Sequence, residues 1–347
     1  MAVAHVSFCL DHTALRRTEY LILIVTNRRD LTADFLILEL QRRGAEFIRF
    51  NTEDYPREVG VTWRMENHRR TGRLVFSKKN EVRLDDVRSV WYRRPVPPHP
   101  DETITDPVYR EFAMAESQAA LDGLWRAMDC FWVSNPDSLR RAENKLLQLK
   151  LADEVGLEVW PTLVTTCAEE AQAFYEACDK NTVYKPLRRG YLTRNGERSL
   201  IYTNPLPSGE EPDFTAVKLA PVLLQKQIPK KLEVRVTVVG NDVFAAGIDS
   251  QRVPEARHDW RRASADQLPH EPHALPVSVV RACRRLVKSL GLAFGAIDFV
   301  LTPSGQYVFL EINPNGQWAW VQQLCPSIRI REALCELLVT GGGAYVQ

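Results

Sequence analysis

The hydrophobic and polar positions along the chain change rhythm at defined points, and each change predicts an element. YLILIVT (20–26) is an unbroken apolar run of strand length, as a buried strand requires. Leu31 to Arg43 has helical character, Gly44 stops it, and AEFIRF follows as a second strand, which makes a β-α-β opening. SVWYRRP is a further strand ending at Pro95, and the proline-rich PVPPHP connects it to a helix from about Pro107 to Met128. Residues 20–133 thus read as an α/β domain. After SNPDSL, RRAENKLLQLKLADEVGL predicts one helix ended by Gly156, and TLVTT predicts a strand after Pro161. Helices and strands alternate to residue 205, and LAPVLLQKQI, EVRVTVVG, DVFAAGIDS and a helix from Pro276 to Leu290 follow.

The last two strand-like runs, AIDFVL and YVFLEIN, are joined by PSGQ and predict an antiparallel hairpin. With Pro303 to Gln306 as a four-residue loop, Thr302 pairs with Tyr307, Val300 with Phe309 and Asp298 with Glu311. Directly opposed side chains stand about 4.5 to 5.5 Å apart at Cβ, where like charges destabilise unless something compensates. Period two adds Asn313 to the same face. Two carboxylates and an amide oxygen suit a hard cation such as magnesium, which keeps waters and binds substrate phosphates. Taken alone, the hairpin is equally compatible with a solvated acidic face.

Charge narrows the ligand. Lys plus Arg number 45 against 44 Asp plus Glu, a formal +1, so no global field favours nucleic acid or a membrane surface and any anion must be met locally. No apolar run approaches the roughly 20 residues of a membrane helix. Residues 1–19 read as a short extension, because Asp11, His12, Arg16 and Arg17 interrupt its apolar start. Seven scattered cysteines without a CxxC pair argue against a disulfide framework or zinc site and favour a reducing cytoplasm. TNRRDLTAD after the first strand contains no glycine, which disfavours a dinucleotide site there.

Local basic groups are better placed farther on. Lys185 closes the strand TVYKP, and PLRRGYLTRNGERSL after it is basic, with Gly190 and Gly196, as a phosphate-covering loop between strands requires. VLLQKQIPKKLEVRV passes between two apolar runs through a polar hinge with Pro229, a place for backbone contacts to adenine. Glu233 and Arg235 share a strand face, either as neighbouring ion partners or with Arg235 turned to phosphate or carboxylate.

In this order, Lys145 in NKLLQLKLADEVGL, Lys185, the hinge LLQKQI, EVRVTVVG, Asp298, Glu311 and Asn313 resemble the ATP-grasp ligase superfamily. LEINPNGQWAW, with WYRRP and HDWR (258–261), resembles more narrowly the microviridin-type graspetide synthetases, over roughly residues 20–340. The resemblance implies a pre-ATP-grasp α/β domain (20–133) followed by α+β central (134–220) and C-terminal (221–347) subdomains that clasp ATP. It implies magnesium at Asp298, Glu311 and Asn313, and Lys145 and Lys185 on the phosphates. Gln225, Lys226, Gln227, Ile228 and Glu233 would hold the rest of the nucleotide. Arg235 and Arg261 would act on the reacting carboxyl, which is phosphorylated and then attacked by a hydroxyl or amine of the same ribosomal precursor peptide. Such chemistry needs positioning and charge neutralisation rather than an enzyme nucleophile.

Arg93, Arg94, Arg188, Arg189, Asn315 and Trp318 are candidates for contact with that peptide, a leader plus core. Arg188 and Arg189 depart from the commoner glycines of the phosphate loop. Of Trp318 and Trp320, one is expected to pack and the other to line the peptide groove. Nucleic acid and membrane are not expected partners, and a homodimer is compatible with the reading. The rival enzyme is a ligase of free amino acids or of a protein terminus; the rival non-enzyme is an ATP-sensing binding protein.

Overall fold

The computed structural model describes residues 21–77, 80–188, 190–194, 197–207 and 212–346, so the expectations for residues 1–19 and for Arg189 lie outside it. Leu21–Thr26 is the buried strand its apolar run predicts, and three strands run parallel with it in one sheet. Their order is Phe47–Asn51, Leu21–Thr26, Val87–Tyr92, Phe131–Val133. Asp30 caps the helix Leu31–Arg42 by accepting from the Thr32 amide. Pro107 opens the helix Pro107–Ala127, where its missing N–H costs nothing. A three-stranded antiparallel sheet, Gly60–Glu66, Arg69–Ser77 and Asn80–Arg83, is inserted between the second and third parallel strands. Its exposed, mostly polar positions left no run or clean alternation to read.

The segment expected as one helix before Gly156 is two, Pro136–Ala142 and Lys145–Glu154. Asn144 breaks them by capping the second, accepting from Leu147 N at 3.0 Å. That places Lys145 in the first turn, at the edge of the site.

Thr162–Thr165, Thr182–Lys185, Val222–Lys226 and Asn204–Pro205 form a four-stranded antiparallel sheet, and Tyr191–Arg194 with Glu197–Leu200, between Lys185 and Asn204 in the chain, form a separate hairpin. The strand Val222–Lys226 pairs here, with Thr162–Thr165 and Thr182–Lys185, and not with the strands that follow it. That strand thus lies past residue 220 in the chain but in the sheet of the strands before it. Beyond it, His270–Pro272, Asp242–Ile248, Leu232–Val239, Phe294–Leu301 and Tyr307–Asn313 form a five-stranded antiparallel sheet in that order.

Two cores matter for the site. Val234, Val236, Val238, Ile297, Phe299 and Phe309 bury one face of the five-stranded sheet against the helix Val277–Ser289. Ile24, Leu36, Trp91 and Trp318 join the parallel sheet to the helix Ile330–Val339, so the first domain and the end of the chain share one interior. On the opposite face Glu233, Arg235 and Asp298 gather, with apolar packing to either side of them at Val239 and Val300.

Candidate functional site

That face and the four-stranded sheet line a cavity of about 970 Å³, large enough for a nucleotide and more. Glu233 and Arg235 reach it from Leu232–Val239, because alternation sends Val234 and Val236 to the core. Asp298 and Glu311 are direct cross-strand partners, as the hairpin pattern predicts.

The route to that pairing differs from expectation. The turn is one residue longer, with Leu301 opposite Tyr307, Val300 opposite Val308 and Phe299 opposite Phe309. A bulge then sets Glu311 against Asp298 and leaves Leu310 as the extra residue. Phe309 consequently lies in the core, stacked edge-on with Phe299, while Leu310, Glu311 and Asn313 all line the cavity. The expected pairs Thr302–Tyr307 and Val300–Phe309 do not form.

Each acid has its own cation. Arg235 Nη1 donates to both oxygens of Asp298 at 2.8 Å, and Lys145 Nζ stands 2.9 Å from Glu311. Asn313 Nδ2 donates to Asp298 at 3.1 Å and to Glu311 at 3.5 Å. Burial and the neighbouring Glu311 push the Asp298 carboxyl up despite Arg235. Burial acts on Glu311 in the same direction, but Lys145 and Arg261 overcome it and hold Glu311 down at about 2. Among the described residues no group of three or more His, Cys, Asp or Glu forms a closed metal cage. Two carboxylates and one amide fit instead a magnesium ion that takes its remaining ligands from waters and phosphates.

Lys185 Nζ donates to Gln225 Oε1 at 2.6 Å, and burial lowers the lysine to about 8. Gln225 is buried and donates in turn to Thr162 Oγ1 at 2.9 Å, so the two sheet strands fix both side chains. In the hinge, the N–H groups of Lys226 and Gln227 are already used, on Pro161 O and Asn181 O, both at 2.9 Å. Ile228 packs with Val300, Val308, Leu310 and Trp160, an apolar wall suited to a flat base. Glu233 accepts from Lys230 at 2.9 Å, and burial raises its carboxyl.

Arg261 lines the cavity with half its side chain exposed and is gripped by Asp259, Nε at 2.8 Å and Nη2 at 2.6 Å. Burial would raise Asp259, but Arg261 and the Thr203 amide hold it at about 2, and Arg261 is raised in return. Arg94, Arg188 and Asn315 also line the cavity. Arg93 and Trp318 do not: Arg93 is buried and donates to Asn315 O, and Trp318 is buried against Phe35. Their expected contact with the peptide is thereby corrected. Of Trp318 and Trp320 it is Trp320 that lines the cavity, beside Trp260, which lines it too, the two rings tilted with centroids 5.1 Å apart. Gly190 must lack a side chain, since a Cβ there would lie 2.6 Å from Ile201 O.

Two residues escape a sequence reading. Gln148 is buried and spans the backbone of Ile312, donating to its carbonyl at 2.9 Å and accepting from its amide at 3.1 Å. It therefore holds the strand between Glu311 and Asn313 to the helix that carries Lys145. Asp259 accepts from Thr203 N at 3.0 Å as well as from Arg261, which ties the segment after the hairpin to the arginine. Gln148 has no local pattern because it acts on a distant segment; Asp259 stands in HDWR beside Arg261, but its tie to Thr203 is not written there.

Residues 21–140 match a family model described as the MvdD pre-ATP grasp domain. No curated protein sequence is a match. Solved structures are similar over almost the whole chain. A RiPP-associated ATP-grasp ligase of Chryseobacterium gregarium, in complex with ADP and a leader and core peptide, is 30% identical over 92% of this chain and 96% of that one, with a TM-score of 0.85. The macrocyclase MdnB of Microcystis aeruginosa MRC is 32% identical over 93% and 100%, with a TM-score of 0.74. The macrocyclase MdnC of the same organism, bound with precursor peptide MdnA, is 28% identical over 92% and 99%, with a TM-score of 0.80. With the acid pair, the two lysines and the hinge converging on one cavity in an ATP-grasp fold, and with identity of 30% or more across nearly full length, the chain belongs to the RiPP-associated ATP-grasp ligases and macrocyclases, the graspetide synthetases.

Proposed function

We propose that the chain binds ATP with magnesium in this cavity and closes rings in a ribosomal precursor peptide that it recognises by a leader and modifies in the core. The γ-phosphoryl group passes to an Asp or Glu side-chain oxygen of the peptide and ADP leaves. A Ser or Thr hydroxyl, or a Lys amine, of the same peptide then attacks the acyl carbon. Phosphate departs with the oxygen it was bonded to, the nucleophile loses its proton, and an ester or amide closes the ring with net loss of one water from the peptide.

The observation that carries this reading is the opposed pair Asp298 and Glu311 set in a locally basic cavity. Among the described residues nine Lys and Arg line it against five Asp and Glu, an excess of four in a chain whose formal charge is +1. A polyanion is what such a cavity takes up. Magnesium, held by Asp298, Glu311 and Asn313, would neutralise phosphate charge as it develops. Lys145 and Lys185 meet phosphate oxygens, the apolar wall at Ile228 takes the base, and Glu233 is placed for the sugar hydroxyls. Arg261, oriented by Asp259, offers a guanidinium to the reacting carboxyl. The same reading puts the enzyme in the cytoplasm, where precursor peptides are made; no helix of the described residues is long and apolar enough to cross a membrane.

The test is co-expression with a candidate precursor rich in Thr/Ser and Asp/Glu, followed by mass spectrometry for loss of one water per ring. ADP release stimulated by free amino acids and not by the peptide would favour the rival ligase. Nucleotide binding without ADP release under any condition would favour a binding protein.

A further inference from the structure

A guanidinium buried with most of its donors unused calls for an explanation. Arg93 follows the strand Val87–Tyr92 and is 2% exposed. Its Nη1 donates to Asn315 O at 2.6 Å, while Nε and Nη2 have no hydrogen-bond partner among the described residues. Asp30 lies 3.8 Å from Nε, beyond hydrogen-bond reach, and is engaged with the Thr26 hydroxyl and the Thr32 amide. Burial lowers Arg93 to about 10, which leaves it charged at neutral pH. A well-packed apolar side chain would fill this space at lower cost. Beyond the Asp30 charge and the Trp91 ring, whose centroid is 6.0 Å away, the guanidinium makes one hydrogen bond, and that bond is therefore the place to look for its role.

That contact is on the loop leaving the acid-bearing strand. Asn315 is two residues beyond Asn313, and Gly316 follows it. A Cβ on Gly316 would lie 2.4 Å from Ala296 Cβ and 3.0 Å from Arg235 Nη2, so the loop is pressed against the five-stranded sheet. On that side Arg235 Nη2 donates to Gln317 O at 3.3 Å while its Nη1 spans Asp298. The loop 313–317 is thus clamped between two arginines, Arg235 from the sheet that carries the acids and Arg93 from the parallel sheet of the first domain. Arg93 itself is anchored, its amide donating to Val25 O at 2.8 Å and the Arg94 carbonyl accepting from Asn27 Nδ2 at 2.6 Å.

We infer that Arg93 is a positioning residue for phosphoryl transfer: through the Asn315 carbonyl it sets the loop that orients Asn313 and Arg235, and so lets the first domain fix the geometry of the metal-binding face. The inference rests on the proposed function, since it assigns that face to magnesium.

The test compares Arg93→Met, Arg93→Gln and Arg93→Lys in the full chain, by calorimetric ADP binding across a magnesium series and by thermal melting without ligand. In Arg93→Met, ADP binding without magnesium should stay within about twofold of the parent while the magnesium concentration required for tight binding rises about tenfold, as loss of a supporting contact behind a metal ligand does. Arg93→Lys, which keeps a donor for Asn315 O, should recover part of the loss. An unchanged magnesium requirement in Arg93→Met overturns the inference, and so does an equal loss of ADP affinity with and without magnesium. If Arg93→Met does not fold, Arg93→Gln and Arg93→Lys carry the comparison, and failure of all three to fold makes Arg93 a purely structural residue and the inference wrong. Absence of any magnesium effect on nucleotide binding in the parent protein would instead sink the proposed function.

Discussion

Arg235 and Asp298 are direct cross-strand partners, and a single guanidinium nitrogen of Arg235 meets both oxygens of the carboxylate at 2.8 Å. The repulsion between Asp298 and Glu311 is therefore offset inside the protein, by Arg235 for one acid and Lys145 for the other. Removing Arg235 while keeping the acid leaves a buried carboxylate beside another. Arg235→Met should lower the unfolding free energy by about 3–5 kcal/mol, the usual loss when one partner of a buried pair is deleted. Urea unfolding checks this, and a variant as stable as the parent would show that the pair contributes nothing to holding the face together.

Lys185 gives opposite pH signatures in two measurements. Its folded value of about 8 lies below the ordinary lysine value, so between the two the unfolded chain binds more protons than the folded one. Stability of the free protein should rise over that window through this group. Phosphate, however, needs the protonated amine, so nucleotide affinity should fall above pH 8 by up to about tenfold per pH unit, with proton uptake on binding. Lys185→Met should remove both trends. Affinity flat from pH 7 to 10 in the parent would take Lys185 off the phosphates.

Gly316→Ala should cost about 1–3 kcal/mol of stability and much of the turnover, because the new methyl cannot coexist with Ala296 without a backbone shift. Ala296→Gly vacates that volume. The double variant should recover activity relative to Gly316→Ala alone, and additive losses would mean that the two positions do not share the space.

Arg261→Ala should lower turnover a hundred- to thousand-fold, about 2.7 to 4 kcal/mol in the barrier, with a much smaller change in peptide affinity, because negative charge near the reacting carboxyl grows toward the transition state. Precursor binding by calorimetry and ring closure by mass spectrometry on the same variant separate the two. Lost binding with a surviving rate at saturating peptide would make Arg261 a docking residue.

The parts of this site that a sequence displays are those written locally. Asp298 and Glu311 stand in alternating runs, Lys185 ends a strand, and the hinge interrupts two apolar segments. The parts it hides are set by distance: Gln148 acts on Ile312, 164 residues away, and Asp259 on Thr203, 56 residues away. Arg93 reads in the sequence as a candidate for the peptide, and only the packing of Asn315 against the first domain shows it turned inward. Trp318 lies in the core and Trp320 on the cavity, and because the helix Ala319–Leu324 begins between them, a spacing of two residues does not put them on one face. The inserted sheet at 60–83 leaves little mark in the sequence, because a mostly solvated sheet has no apolar period.

Leu310 acts as a phase shift in the chain. Strict alternation after Phe309 without a bulge would send Glu311 and Asn313 to the apolar interior and Ile312 to the nucleotide; the bulge instead puts Leu310 and Glu311 both on the cavity side and keeps Ile312 in the core. Deleting Leu310 would remove the extra residue and the bulge together, so Glu311 would follow Phe309 directly, still opposite Asp298 and still on the cavity side. Leu310 is thus dispensable for the facing of the acids, and its own part is the bend of the strand and the apolar contact with Ile228.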